Sequence, residues 1–267
     1  MHLFALRKGL DLPVLGAPAG GIEDAPPVRT VAILAEDYIG LKPRLAVAEG
    51  AIVAAGAPVL AHKDMAEAPF TSPGAGKVTA INRGPRRKLI SVEIEVIHGA
   101  APPVDFSRVG DVSMPEGLVE RLCAAGLWPA FRTRPYSKVP GPATRPAALY
   151  VTAMDTEPLA PNPAEIIAAE AEAFAAGLAA IAGLSEGRTY LCHAAGADLP
   201  GADAPGIVPA AFSGPHPAGL AGTHMHFLEP PTADKVVWTI GYFDVIAIGR
   251  LLRSGVYDAT RVIALTG

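Results

Sequence analysis

Cysteine, aromatic residues and long apolar runs are all scarce in this sequence of 267 residues. Its two cysteines, Cys123 and Cys192, are isolated, so they cannot supply a CxxC pair or a four-thiolate cluster. One disulfide remains open, but two isolated cysteines are more typical of free thiols in a cytosolic protein. Aromatic residues make up only 6%, which predicts a core built mainly from aliphatic side chains. No stretch reaches the roughly 18 consecutive apolar residues that a membrane-spanning helix needs.

A basic excess and the common nucleotide motifs are also missing. The chain has 22 Lys and Arg against 26 Asp and Glu, a balance that argues against nucleic-acid binding. We find no GxGxxG after a predicted strand, no GxxxxGK[ST] and no GxSxG elbow, so no dinucleotide site or nucleophile elbow is recognisable. The first eight residues do not have the order of a signal peptide. Because 50% of the residues are hydrophobic, a sizeable core is available.

Short apolar runs separated by turns fill the first part of the chain. They predict strands at residues 31–34, 44–47, 57–60, 76–81 and 90–96. The spacing of the turns is typical of a biotinyl/lipoyl-like barrel-sandwich. These turns lie at Gly50, at Gly56 and at a Pro-Gly-x-Gly corner at residues 73–76. A carrier role would need a modified lysine on a hairpin tip. Lys63 is the only candidate, and since it lacks the usual flanking residues we interpret it as a surface lysine.

Helical periods alternate with strands after about residue 102. The pattern predicts a helix at 115–127, an ordered surface loop at 132–146 and a helix that opens at Asn162 and runs past Ile181. A last helix at 243–252 stops at Gly255. This alternation favours a parallel, Rossmann-like α/β layer, so we predict two domains, 1–102 and 103–267. The remaining predicted strands lie at 147–153, 188–193, 206–212, 236–240 and 260–265. Since the chain stops just after the last of these, we expect it to be a fragment.

Three histidines near the end of this part are the candidates for a metal or ligand site. His224 and His226 would face the same side if they lay on a strand, and His216 is a nearby third ligand, as are His193 and Glu229. The alternatives are hydrogen bonds to the backbone, or contacts with a partner or a polar ligand. Because two histidines seldom close a zinc site, we predict no metal here.

Two acids follow a predicted buried strand that ends at Ala153. Ligands of open α/β sheets bind beyond the carboxyl ends of the strands, which is where Asp155 and Glu157 fall. Glu157 is suited to accept a hydrogen bond from a ribose or ring hydroxyl. The alternative is a loop acid that caps the following helix.

The segments taken together resemble the A subunits of the bacterial Na⁺-translocating NADH:quinone reductases. The most specific stretch is GPHPAGL at 214–220, which runs into GTH at 222–224 and HFL at 226–228. The resemblance extends in order along nearly the whole chain. Its other segments lie at residues 8–13, 32–40, 70–73, 76–78, 81–84, 131–136, 151–159, 244–249 and 261–265.

This resemblance implies a peripheral subunit on the cytoplasmic face of the bacterial inner membrane. The six-subunit complex would oxidise NADH, reduce ubiquinone and export Na⁺, with FMN, FAD and Fe–S centres in partner subunits and no cofactor on this chain. It also implies an architecture like the FMN- and NADH-binding subunit of complex I and the C-type subunit of the Rnf complex. Since the family is longer than this sequence, we expect a C-terminal β-grasp and a helical part of the family to be missing here.

The relatives in complex I and Rnf hold the FMN phosphate in a glycine-rich loop and place an acidic segment against the flavin. The corresponding loop here is residues 126–131, in which Gly126 is followed by Trp128 and Pro129, and these leave less room for phosphate. Asp155 and Glu157 partly match the acidic segment of these relatives. The resemblance therefore implies a degenerate flavin site.

A quinone ring needs an apolar or aromatic slot and one or two hydrogen-bond donors. We predict that Trp128, Phe131 and Tyr136 line such a slot and that His216 or His224 donates to a quinone carbonyl. The alternative for the aromatic residues is ordinary core packing. The competing function is an FMN- and NADH-binding oxidoreductase subunit of the Rnf or complex I type.

Overall fold

The computed structural model describes residues 2–18, 20–232 and 234–266. The first strand, β1 (His2–Ala5), pairs in parallel with a strand more than 200 residues later, in the α/β part of the molecule. The sequence analysis did not predict β1. The place of a four-residue strand is set by its partner, and no local pattern reveals a partner so distant in sequence.

Seven strands after β1 form the predicted barrel-sandwich. One sheet has the order β2-β8-β7-β4 and the other the order β3-β5-β6, and every pair is antiparallel. Between them lies a core that includes Val59, Leu60, Val78, Val92 and Ile94, all fully buried. The strands are β2 (Thr30–Leu34), β3 (Pro43–Leu45), β4 (Ile52–Val53), β5 (Pro58–His62), β6 (Met65–Thr71), β7 (Gly76–Arg83) and β8 (Leu89–Val96).

The α/β part is built on a six-stranded sheet. Its four central strands are parallel, and their spatial order is third-second-first-fourth, the order of a doubly wound sheet. β1 adds a parallel edge, and an antiparallel strand closes the other edge. From edge to edge the order is β1-β12-β11-β10-β13-β9, with β9 (Arg132–Arg134), β10 (Leu149–Ala153), β11 (Thr189–Ala194), β12 (Ile207–Ser213) and β13 (Val237–Gly241).

Helices cover both faces of this sheet. Helices α3 and α5 pack against each other over the face that carries Leu149 and Val151, whereas α4 packs over the face that carries Tyr150. Helix α1 lies against β6 of the barrel-sandwich. The bounds are α1 (Pro115–Ala124), α2 (Pro163–Ala169), α3 (Ala171–Ala182), α4 (Ala221–Phe227) and α5 (Tyr242–Ser254).

Local sequence signals account for several of these boundaries. The Asn162 side chain accepts a hydrogen bond from the backbone N–H of Ala164, so it caps α2 as predicted. Helix α5 ends at Gly255, whose φ of 75° is left-handed, and this confirms the predicted stop. The predicted single helix past Asn162 divides at Glu170, where φ is −122° and ψ is 32°.

Two predictions on secondary structure are wrong. Residues 260–265 have no regular structure, and Arg261 in this segment forms an ion pair with Asp244 of α5. The loop predicted at 132–146 contains β9, which pairs with β13. The described residues contain no helix that is long and apolar enough to cross a membrane.

Candidate functional site

A cleft of about 420 Å³ lies between the barrel-sandwich and the α/β part. The barrel-sandwich contributes the segment around Tyr38 and parts of β5 and β6, and the α/β part contributes residues near the end of α1 and after β9. Most of the wall is apolar. The lining residues are Tyr38, Ile39, Gly40, Leu41, Lys42, His62, Asp64, Met65, Ala68, Phe70, Pro129, Lys138 and Val139.

Tyr38 forms an aromatic wall of this cleft. Its ring meets Phe70 edge-on, with ring centroids 4.4 Å apart, and the guanidinium of Arg132 lies over its ring at 5.0 Å. Burial raises the pKa of Tyr38, and the positive charge of Arg132 acts in the opposite direction. Tyr38 is therefore a protonated hydroxyl at neutral pH, held between an aromatic ring and a cation.

Three polar side chains of the cleft, Lys42, His62 and Asp64, form hydrogen bonds there, whereas the ammonium of Lys138 forms none with a described residue. The His62 Nδ1 accepts from the backbone N–H of Asp64 at 3.0 Å, so its Nε2–H donates to the Gly40 carbonyl at 3.1 Å. The Lys42 ammonium donates to the Asp64 carboxylate at 3.2 Å, and this hydrogen bond lowers the pKa of Asp64. Lys138 has no ion-pair partner within the described residues, so its ammonium is free to meet a ligand at the rim.

Trp128 and Phe131 lie behind the cleft, in the core of the α/β part. Both are 0% exposed, and together with Trp238 they form a cluster whose ring centroids are 5.2–5.7 Å apart. The Trp128 Nε1–H donates to the Pro140 carbonyl at 2.8 Å. Since Pro140 follows the lining residue Val139, the indole supports the cleft wall from behind.

Tyr136 occupies the turn between β9 and Lys138 and is 72% exposed. The backbone closes this turn with hydrogen bonds from the Thr133 N–H to the Lys138 carbonyl and from the Ser137 N–H to the Thr133 carbonyl. One flank of the turn thus lines the cleft, and its tip carries Tyr136 towards solvent.

His216 lies elsewhere, at the carboxyl edge of the α/β sheet. Its backbone N–H donates to Asp11, its Nδ1 pairs with the hydroxyl of Thr156 at 3.1 Å, and the Gly219 N–H donates to the same hydroxyl. A shallower pocket of about 440 Å³ here is lined by Leu10, Asp11, Leu12, Thr156, Glu157, Pro158 and His216.

Asp155 and Glu157 both lie at this edge, where the sequence analysis predicted them. Asp155 Oδ1 accepts the backbone N–H of Glu157 at 2.8 Å and so shapes the loop, whereas Glu157 lines the pocket. The pocket lies just after the end of β10. The strand order of the sheet reverses between β10 and its neighbour β13.

His224 and His226 are on helix α4 rather than on a strand, so they do not share the face that a strand would give them. On a helix, residues two apart face different directions, so His224 is fully buried against Phe212 whereas His226 is exposed. The His224 Nε2–H donates to the Ala218 carbonyl at 2.9 Å, and burial lowers its pKa to about 4. Within the described ranges, no group of three or more His, Cys, Asp or Glu side chains is placed to hold a metal ion.

Gly126 lies at the junction of the two parts of the molecule. It follows α1 with a φ of 75°, and a Cβ at this position would overlap the side chain of Thr71 on β6. The Thr71 hydroxyl donates to the Ala125 carbonyl at 2.9 Å, in a buried contact. The space beside Gly126 is therefore filled by the barrel-sandwich.

The structure thus does not bring the five predicted quinone residues into one slot. Trp128 and Phe131 lie on one face of the α/β sheet, His224 lies on the other, and His216 is at its carboxyl edge. Sequence reasoning missed Tyr38, His62 and Lys42, because they come from the barrel-sandwich and meet Lys138 only after the two parts pack together. The one sequence signal was the ordered, basic loop that contains Lys138.

Comparisons with known proteins agree with this division of the chain. The model of the NqrA N-terminal barrel-sandwich hybrid domain matches residues 4–97, and that of the NqrA second alpha/beta domain matches residues 114–257. These matches lie on either side of the predicted boundary at 102.

Curated relatives cover almost the whole chain. The A subunit of the Na(+)-translocating NADH-quinone reductase of Serratia proteamaculans is 48% identical over 269 aligned residues. The equivalent proteins of Saccharophagus degradans and Photorhabdus laumondii are 46% and 47% identical over 267 residues. Each alignment includes 99% of this chain but only 60% of the relative, so the chain spans about 60% of the length of these relatives. With both domain models and these identities in agreement, the chain belongs to the NqrA family, the A subunits of Na⁺-translocating NADH-quinone reductase.

Proposed function

We propose that this chain contributes to the quinone-reduction step of a Na⁺-translocating NADH:ubiquinone reductase by docking the quinone ring in the cleft between its two domains. The observation that carries this proposal is the cleft itself, with its largely apolar wall and unpaired Lys138 at the rim. A volume of about 420 Å³ falls within the range of small-molecule sites.

The chemistry of the cleft suits a quinone. Tyr38, Leu41, Met65 and Phe70 supply flat and aliphatic surface for the ring. The carbonyl oxygens need donors, and the Lys138 ammonium at the rim is one. Trp128 and Phe131 stiffen the wall from behind, and Tyr136 stands at the tip of the turn that leads to Lys138.

FMN does not fit the loop at 126–131. The space beside Gly126 is occupied by Thr71, and Trp128 and Pro129 are buried, so the loop has no free backbone cradle for a phosphate. This supports a degenerate flavin site, and we derive no step through a flavin on this chain. NADH oxidation and electron delivery then belong to partner subunits that carry FMN, FAD and Fe–S centres, and the isolated chain is not catalytic.

In this proposal the chain is a peripheral subunit on the cytoplasmic face of the bacterial inner membrane. Its partners are the other subunits of a six-subunit complex, and ubiquinone is the substrate. We further propose that the domain boundary lies at 102 and that the α/β part is built like the FMN-binding subunit of complex I; the support for this is a doubly wound strand order, which is typical of nucleotide-binding α/β domains.

A second candidate function is an FMN- and NADH-binding oxidoreductase subunit. The observation that favours it is the pocket at the carboxyl edge of the α/β sheet, lined by His216 and Glu157. Glu157 would accept hydrogen bonds from ribose or ring hydroxyls in that position. Its wide opening, and the lack of a phosphate cradle at Gly126, make it the weaker of the two.

An absorbance spectrum and a quinone titration test the two candidates together. The purified chain is expected to be colourless and to show saturable quenching of the fluorescence of Trp128 and Trp238 by a short-chain ubiquinone. Lys138→Met should weaken binding about tenfold, the loss of one hydrogen bond from a charged donor. Lys77→Met, which removes another exposed lysine from β7, is the matched control and should bind normally.

A His216→Asn variant separates the cleft from the edge pocket. If this variant weakens the titration and Lys138→Met does not, the quinone docks at the carboxyl edge and the cleft proposal is wrong. A flavin spectrum would instead support the oxidoreductase alternative. A colourless chain that binds no quinone would overturn the docking role for these residues.

A further inference from the structure

The hairpin that joins β7 to β8 ends in a concentrated positive charge. Arg83, Arg86, Arg87 and Lys88 place four cations within six residues of a chain whose net charge is −4. We call these four residues the basic tip. All four are exposed, and the hairpin is ordered by backbone hydrogen bonds, among them one of 2.8 Å from the Gly84 N–H to the Lys88 carbonyl.

Two arginines of the basic tip have a backbone conformation that arginine disfavours. Arg86 has a φ of 55° and Arg87 a φ of 60°. Pro85 followed by a left-handed residue is the pattern of a turn in which Gly or Asn is preferred at Arg86. Glycine would adopt this left-handed backbone conformation at a lower free-energy cost than arginine. An arginine kept there therefore points to a role for its side chain.

No described residue forms an ion pair with Arg86 or Arg87. Lys88 pairs with Glu36 at 3.0 Å, and Arg83 donates to the Arg87 carbonyl at 3.1 Å. The guanidinium groups of Arg86 and Arg87 have neither an ion pair nor a hydrogen bond within the described residues. The strained turn thus presents these two guanidinium groups to the solvent.

We propose that the basic tip docks on the phosphate groups of an anionic phospholipid bilayer. The tip is the exposed end of one hairpin, and its concentrated positive charge is complementary to the negative charge of a plane of phosphates. Ile90, which is 43% exposed, lies against Gly84 beside the arginines and would reach the headgroup level with them. This inference does not depend on the quinone proposal.

Co-sedimentation of the full chain with vesicles tests the proposal. Vesicles with about 30% phosphatidylglycerol in phosphatidylcholine should bind the chain at about 20 mM NaCl and release it at about 300 mM, whereas pure phosphatidylcholine should not bind it. The double variant Arg86→Gln, Arg87→Gln should lower the partition coefficient about 30-fold. The matched control Lys63→Gln, Arg108→Gln removes two exposed charges elsewhere and should lower it far less.

A second pair of substitutions separates a docking role from a structural one. Arg86→Asn with Arg87→Gly relieves the strained turn, so the thermal midpoint should rise by about 2 °C while vesicle binding falls as in the glutamine variant. Equal binding by the wild type and either tip variant would overturn the proposal. An equal loss of binding in the control variant would also overturn it, since binding would then follow net charge alone. A wild-type chain that stays in the supernatant at low salt would overturn it as well.

Discussion

The buried imidazole of His224 makes the stability of this chain depend on pH. His224 is 0% exposed and packs 4.4 Å from the ring of Phe212. Because a carbonyl only accepts, its Nε2 carries the proton that is donated to Ala218, and its Nδ1 is buried with no hydrogen-bond partner among the described residues. Protonation would therefore create both a buried charge and an unpaired N–H, and burial lowers the pKa of His224 from 6.5 to about 4.

The sign of the effect follows from this lowered pKa. Between about pH 6.5 and about pH 4 the unfolded chain binds a proton that the folded chain does not, so the free energy of unfolding falls as the pH falls through this window. The contribution of His224 is fully present above the unfolded pKa. From these two pKa values, acidification from about pH 7.5 to about pH 5 should cost about 2 kcal/mol, and the complete window about 3 kcal/mol.

Urea unfolding followed by circular dichroism at a series of pH values measures this cost. The difference between the wild type and His224→Gln isolates the single group, since all other titrating residues are shared. The His224→Gln variant should lose about 2 kcal/mol less than the wild type between about pH 7.5 and about pH 5. His226→Gln removes an exposed imidazole from the same helix and should keep the wild-type slope.

Two results would refute the reasoning. If the wild type and His224→Gln lost stability in parallel, His224 would not be buried in its neutral form. If His226→Gln flattened the profile instead, the two histidines of α4 would be oriented opposite to the structure.

Substitutions at three contacts test the packing by the same urea assay. Gly249→Ala should destabilise the chain by about 3 kcal/mol, because a Cβ there overlaps the carbonyl of Ala173 where α5 crosses α3; a loss under about 0.5 kcal/mol would contradict this contact. Gly126→Ala should cost about 2 kcal/mol, and adding Thr71→Ala should restore part of it, whereas simple additivity would mean that the two do not touch. Leu178→Ala, at a fully buried position of α3, should cost about 2–5 kcal/mol, and a neutral result would place this face of α3 outside the core.

Much of the fold was predictable because its signals are local. Alternating apolar residues, turn glycines such as Gly56 and the Asn162 cap act over a few residues, and they located most strands and helices. The order of the segments was sufficient to predict a barrel-sandwich followed by an α/β layer, and both family models match it. The same local reasoning left open whether His224 and His226 lie on a strand or a helix, since a short His-rich segment has no period that separates the two; the structure places them on α4.

The candidate site depends on contacts between residues distant in sequence. Tyr38 and Lys138 are 100 positions apart, and nothing in the spacing of either predicts that they line one cleft. Gly126 shows the same limit: its sequence context suggested a remnant of a phosphate loop, whereas its neighbour in space is Thr71 of the other domain.

The sequence by itself therefore determined the kind of each domain, the family and most of the helices and strands, because backbone preferences and the burial of apolar faces act within each segment. Only the tertiary structure decided that β1 joins the far edge of the α/β sheet, that Trp128 and Phe131 are buried behind the cleft, and that His224 is buried while His226 is exposed. These outcomes depend on which surfaces remain free to pack once each segment has formed, and that is a property of the assembled chain.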